Sequence, residues 1–344
     1  MENPTPTGKK SKSWYERVPK VELHLHLEGA IPYDVLWEIV QKYGGDPQVP
    51  DRTTLLQKFE YKDFPHFIET WIWKNEFLRE YDDFTLFAEA VACDLASQNI
   101  KYVEAFYSPS GYAHLGLQTQ KITEAIRLGL RHVPEIEVAL IADVIRDMGP
   151  ESAAVTLAEV NDAREFGVIG IGMGGRELEF PPEPFEKVFA EARQLGFHVT
   201  AHAGEAAGAE SIWGALRTLR VERIGHGVRA GEDEKLLDTL AETQIPLELC
   251  PLSNVRTGVV KSMAEHPVRM LFERGLFITI NTDDPKMFGN SLAEEYQHLE
   301  ECLGFSRQEL CSLILQGISA SWMPAGKKSE MRTAFCADPA WQEA

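Results

Sequence analysis

From about residue 101 onward the chain keeps one rhythm: a short β-branched run, then an amphipathic helix. The runs fall near 101–107 (KYVEAFY), 136–143 (IEVALIAD), 168–172 (VIGIG), 197–203 (FHVTAHA), 222–226 (ERIGH), 246–250 (PLELC) and 276–282 (LFITINT). Helical patterns fall near 117–133, 150–166, 183–195, 208–219, 232–243, 262–274 and 291–303. An earlier run at 20–27 makes eight strands, each followed by helical sequence. Such alternation means right-handed βαβ units and a parallel sheet. Eight units close into a (β/α)8 barrel of the TIM type more readily than they spread into an open sheet. No G-x-G-x-x-G follows the first strand, so a dinucleotide-binding sheet loses its main support.

Before the rhythm starts, Pro32 and Gly44-Gly45 bracket an expected helix. Residues 51–98 then read as a helical insertion between strands one and two, rich in aromatics: Phe59, Phe64, Phe67, Trp71, Trp73 and Phe77. These suit ordinary helix packing, and a few could line a pocket rim where a flat heterocycle stacks. The last forty residues read as one helix and an irregular end. The expected organisation is a loose tail over 1–13 and one barrel domain over 14–344.

In a barrel of this kind the active site lies at the C-terminal strand ends. Strand one ends with His24-Leu25-His26, and residues two apart in a strand share a face. Strand five ends in His202-Ala203-Gly204-Glu205, strand six in His226, and strand eight in Asp283-Asp284. Buried together, such groups are costly unless paired or metal-bound. Catalytic zinc takes three or four nitrogen and oxygen ligands and leaves a position for water, whose pKa falls towards ~7. His24, His26, His202 and Asp283 supply that set. Glu205 then stands as a proton donor, His226 as a group that orients the water or takes its proton, and Asp284 as a substrate contact.

The bulk numbers bound the partners. The net charge of −19 disfavours nucleic acid and anionic membranes. No apolar run reaches the ~20 residues of a membrane span, and the N-terminus has no secretory pattern. The five scattered cysteines, with no C-x-x-C pair, fit a reducing, cytoplasmic setting. These numbers do not exclude a small neutral or cationic molecule as substrate.

PKVELHLHLEG, TAHAGE, RIGHG and INTDDP, in this order and spacing, resemble the adenosine deaminase family of the amidohydrolase superfamily, over roughly residues 18–320. The resemblance implies a (β/α)8 barrel with one zinc (Zn2+) held by His24, His26, His202 and Asp283. It implies that Glu205 protonates N1 of a 6-aminopurine, that His226 positions and helps activate the hydroxide attacking C6, and that Asp284 bonds N7. Gly175, in the stretch GIGMGGRE, would offer its N–H to N3. Strand four carries no lysine, which argues against a two-metal relative. All the expected polar positions are present, against a non-catalytic relative.

The substrate is less sharply marked. The adenosine branch resembles HLHLDG, its aspartate reaching the ribose 5′ region; here the residue is Glu28, as in branches acting on adenine or aminodeoxyfutalosine. Phe106-Tyr107-Ser108-Pro109 and Ser253-Asn254-Val255-Arg256-Thr257-Gly258 look instead like the nucleoside branch. Arg256, Tyr112 and His114 suit ordinary loop positions as well as substrate contacts. The sequence expectation is a cytoplasmic zinc hydrolase converting adenosine to inosine and ammonia, with a 5′-substituted adenosine or free adenine as the alternative.

Overall fold

A computed structural model describes residues 12–344. The expected tail lies mostly outside them; within them, Ser13 caps the short helix Trp14–Arg17 through a reciprocal pairing with Glu16.

Eight parallel strands follow in chain order: β1 (Lys20–His26), β2 (Ile100–Tyr107), β3 (Glu137–Ile145), β4 (Val168–Gly174), β5 (His198–Ala203), β6 (Arg223–His226), β7 (Leu247–Leu249) and β8 (Ile278–Ile280). Each pairs with the next, as the alternation predicts. The barrel closes between β1 and the residues just past β8. There Leu25 bridges Asp283, the His26 N–H donates to the Asp283 carbonyl at 2.8 Å, and the Asp283 N–H donates to the His24 carbonyl at 3.1 Å. Side chains complete this seam: Leu23 N–H donates to Asn281 Oδ1 (2.9 Å) and Thr282 N–H to Glu22 Oε1 (2.7 Å). Strand β8 can be short because these side chains do part of the ladder's work.

The insertion folds as helices Arg52–Gln57, Phe64–Asn75 and Tyr81–Ser97, the first two capped by Asp51 and Asp63. Its aromatics divide. Phe77 and Trp73 join the main core, Phe64 and Trp71 pack around a separate cluster of Phe67, Met287 and Phe288, and Phe59 touches both. That cluster joins the insertion to the short helix Pro285–Phe288 after β8.

Three local expectations are corrected. The stretch 251–256, read as loop, is a helix opened by Pro251. The expected helix 262–274 is cut to Val268–Glu273 behind Pro267. The last forty residues hold two helices, Arg307–Ala320 and Ala325–Cys336, separated at Ser321–Pro324. A capping box at Ser306 and Glu309 starts the first of them. No helix among the described residues is long and apolar enough to cross a membrane.

Candidate active site

The seam that closes the barrel also assembles the site. Alternation along β1 turns His24 and His26 to one face while Leu23, Leu25 and Leu27 join the apolar core. His24 Nε2 and His26 Nε2 lie 3.0 and 3.1 Å from His202 Nε2, and 3.5 and 3.4 Å from Asp283 Oδ1. Four donors held ~2.0–2.1 Å from one tetrahedral ion stand about 3.3 Å apart, so these four fit a single small transition metal such as zinc. His226 also falls near His24, His202 and Asp283, but it faces the other Asp283 oxygen, Oδ2, at 3.8 Å.

The outer nitrogens fit the same reading. His24 Nδ1 donates to Glu248 Oε2 at 2.8 Å, and His202 Nδ1 donates to the Met173 carbonyl at 2.9 Å. Each bond leaves Nε2 as the lone-pair nitrogen that a metal needs. Ser253 Oγ donates to Asp283 Oδ2 at 2.7 Å. His26 is stacked on Phe106, their ring centres 5.0 Å apart.

Beneath the ligands runs a buried ionic ladder. Glu248 meets Arg223 at 2.5 Å, off the hydrogen-bond axis; Arg223 pairs with Glu104; Glu104 accepts from Tyr102 Oη (2.8 Å) and the Trp322 N–H (2.5 Å). The Arg223 guanidinium lies 3.5 Å from the Trp322 ring centre. Burial raises the Glu248 carboxyl, but Arg223 and His24 outweigh it and hold it below its ordinary range. Burial likewise opposes charge on His24, but Asp283 and Glu248 bring its pKa up to about 10. The carboxylates that favour a proton there favour a metal cation as well.

Above the ligands is a cavity of about 300 Å³, at the small end of ligand sites. Phe64, Phe67, Ile68, Trp71 and Ile72 form its apolar wall, and His26, His202, His226, Asp283, Asp284 and Glu205 face it. Burial, then the charges of Asp283 and Glu177, pushes the Glu205 carboxyl well above its ordinary range. Burial and Asp283 do the same to Asp284.

Glu205 sits on a loop held by a residue whose role sequence reasoning missed. Glu177, from the quoted GIGMGGRE stretch, accepts the N–H groups of Gly204, Glu205, Ala206 and Ala207 at 2.6, 3.1, 2.7 and 2.9 Å. A second missed arrangement sets His226. The Val268 N–H donates to His266 Nδ1 (3.2 Å), so His266 carries its proton on Nε2 and donates to Asn254 Oδ1 (3.2 Å). The Asn254 amide then donates to His226 Nδ1 (3.0 Å). This network assigns the neutral His226 proton to Nε2, which points towards Glu205 (3.7 Å) and Asp283. Burial lowers the His226 pKa to about 3, so the ring is neutral. Both His226 (φ +58°) and Asp283 (φ +68°) take left-handed backbone conformations, a strain that concentrates at functional sites.

The other sequence candidates separate. Gly175 lines the cavity at φ +109°, where a side chain would also strike Asp147. Gly29 leaves the space that the Asp284 carboxyl occupies. Glu28 is buried but does not line the cavity: its Oε1 accepts from the Ser108 N–H (2.9 Å), and Lys74 Nζ donates to its carbonyl (2.8 Å). Tyr112 packs behind it, at 3.4 Å from Oε1. Arg256 is exposed, and His114 is exposed beside Glu76.

A family model described as "Adenosine deaminase" matches residues 19–336. The chain belongs to the adenosine deaminase family. An adenine deaminase from Bordetella avium is 37% identical over 312 residues, 90% of this chain and 98% of its own. An aminodeoxyfutalosine deaminase from Streptomyces avermitilis is 34% identical over 331 residues, 94% of this chain and 92% of its own. Among solved structures, an amidohydrolase from Burkholderia ambifaria with bound zinc superposes with TM-score 0.86 at 28% identity, covering 96% of this chain and 94% of that one.

Proposed function

We propose that the chain catalyses hydrolytic deamination of a 6-aminopurine at a single zinc held by His24, His26, His202 and Asp283. One observation carries the reading: four potential metal donors converge below a cavity lined by two buried acids, Glu205 and Asp284, whose carboxyls burial and the charge of Asp283 push well above their ordinary range. Zinc in that site supplies Lewis acidity and a water acidified enough to attack at neutral pH.

The chain's own groups do the rest. Ring nitrogens N1 and N7 are acceptors, so the groups facing them must donate. Raised carboxyls do so: Glu205 gives its proton to N1, which makes C6 electron-poor, and Asp284 donates to N7. Gly175 lines the cavity, and its N–H is the donor we assign to N3. His226, with Nε2 protonated, orients the attacking oxygen by donating to it. The tautomer disfavours the alternative in which this nitrogen takes the proton. Water adds at C6, ammonia leaves, and a 6-oxopurine remains.

The relatives move the substrate away from unmodified adenosine. Adenine comes first, on the small cavity and the adenine deaminase relative. A 5′-substituted adenosine is the second reading, because the wall of Phe64, Phe67, Ile68, Trp71 and Ile72 suits an apolar 5′ group. A nucleotide fits poorly. Apart from histidines, the one cation among the described lining residues is Arg176, and Asp147 holds it at 2.5 Å. The test is ammonia release by zinc-loaded protein from adenine, 5′-deoxy- and 5′-substituted adenosines, adenosine and AMP. Adenine or a 5′-substituted nucleoside should give the highest kcat/KM. A clear preference for adenosine or AMP overturns the substrate order, and no turnover of any of them overturns the activity.

A further inference from the structure

Three buried carboxyls line the cavity without a hydrogen bond to any described residue: Glu205, Asp284 and Asp143. The proposed chemistry uses the first two. Asp143 has no part in it, yet it is just as costly. An unpaired buried acid forfeits solvation and gains nothing from the fold. Arg146 and His24 favour its charge from a distance, but neither bonds it: Arg146 turns Nη2 to the His202 carbonyl (2.6 Å) and Nη1 to the Phe180 carbonyl (3.2 Å), and its Nε has no partner among the described residues.

The fold makes room for this acid. Asp143 pairs across the ladder with Gly172 of β4, and a Cβ on Gly172 or Gly174 would come within 3.0 or 2.6 Å of its two oxygens. Two glycines on the neighbouring strand therefore leave Asp143 uncovered towards the cavity. Its place on the barrel says what it faces. The metal donors come from β1, β5 and the end of β8, and His226 from β6. Asp143 stands on β3, across the mouth from β6 to β8. A purine that presents C6 to the metal donors turns its opposite edge, C4–N3–N9, towards β2–β4. N3 is an acceptor, but the position at N9 carries a donor in both candidate substrates: the N9–H of a free base, or the 2′-hydroxyl of a ribose attached there.

We propose that Asp143 is a specificity residue that accepts a hydrogen bond from this donor at the N9 edge. The proposal rests on the 6-aminopurine reading above and extends it, because it gives the chain a way to sense what N9 carries. The lack of a hydrogen-bond donor to Asp143 among the described residues gives the contact its weight: a substrate lacking the donor leaves the acid buried and without a hydrogen bond.

The test compares zinc-loaded wild type with Asp143→Leu, Asp143→Ala and Asp143→Asn on two substrate pairs. Adenine against 9-methyladenine reads the N9–H; a ribonucleoside that the wild type accepts, against its 2′-deoxy form, reads the hydroxyl. Wild type should favour the donor-bearing member of one pair by roughly 10- to 100-fold, the range of a hydrogen bond to a charged or buried acid. The Leu and Ala variants should bring that ratio close to one, mainly through KM on the donor-bearing member, with zinc content by metal analysis unchanged. The Asn variant keeps an accepting carbonyl and should retain most of the ratio. The pair that collapses identifies the donor. Wild-type ratios that persist in both Leu and Ala variants, or a wild type that discriminates in neither pair, overturn the role of Asp143 and leave the deaminase reading standing. A wild type that deaminates no 6-aminopurine overturns both.

Discussion

The floor under the metal donors and the cavity above them are built from the same residue type, buried to the same degree, and wired in opposite ways. In the floor, Glu248 and Glu104 are paired with Arg223, and Glu248 also holds His24. In the cavity, Glu205, Asp284 and Asp143 have no donor among the described residues. A buried carboxyl with partners is fixed in charge and position. One without partners is free to take or give a proton, or to bond a ligand. Glu177 shows the two arrangements meeting, since four backbone donors tie it down so that Glu205 beside them can stay unbound.

Substitutions in the two regions should therefore fail in different ways. The largest effect is expected in the cavity: Glu205→Gln should retain its zinc and lose about 10²–10⁴-fold in kcat, the usual contribution of general acid–base catalysis. Near-normal turnover, or loss of zinc, would break the contrast. In the floor, Glu248→Gln should weaken zinc retention by about 10- to 100-fold, as for other partners of metal-binding histidines; competition with a chelator measures it. The relay to His226 stands between the two regions. Asn254→Leu removes the donor to Nδ1 and should lower kcat by about tenfold, at the low end of a positioned acid–base group, with KM and zinc little changed. Imidazole ¹⁵N shifts should show the Nε2-protonated tautomer of His226 in the wild type and a mixture in the variant.

The smallest effect is a shape in pH. Burial raises the Glu205 carboxyl, so the proton it must donate is present below the raised pKa and lost as pH rises through it. The kcat/KM profile should fall on its alkaline side, and Glu205→Gln should lack that limb. An alkaline limb of equal position in both proteins would assign it to another group.

Much of the frame is legible in the sequence because strand–helix alternation leaves a periodic trace, and so is the meeting of His24, His26, His202 and Asp283, because each stands at a strand end. What escaped is what acts across the barrel. Glu22, Glu104, Arg223 and Glu248 are charged residues within the strands, and all four are buried. That placement is a readable signal of an internal network, but pairing within it depends on which strands face each other. Asn254 and His266 lie in a stretch that reads as loop and a shortened helix, and only the fold brings them in line with His226. Glu28 stands in the strongest motif, yet its side chain accepts from the N–H of Ser108, which lines the cavity, and does not line it itself.

The seam has a consequence in time. Glu22 and Thr282 meet across 260 positions of chain, and contacts of such separation form late because so much chain must be ordered first. Histidines 24 and 26 emerge early in synthesis, but the carboxylate that completes their set arrives only when the last strand docks. The proposed metal site would thus be complete only once the whole barrel has closed, and an ion bound there would clasp the two ends of the fold.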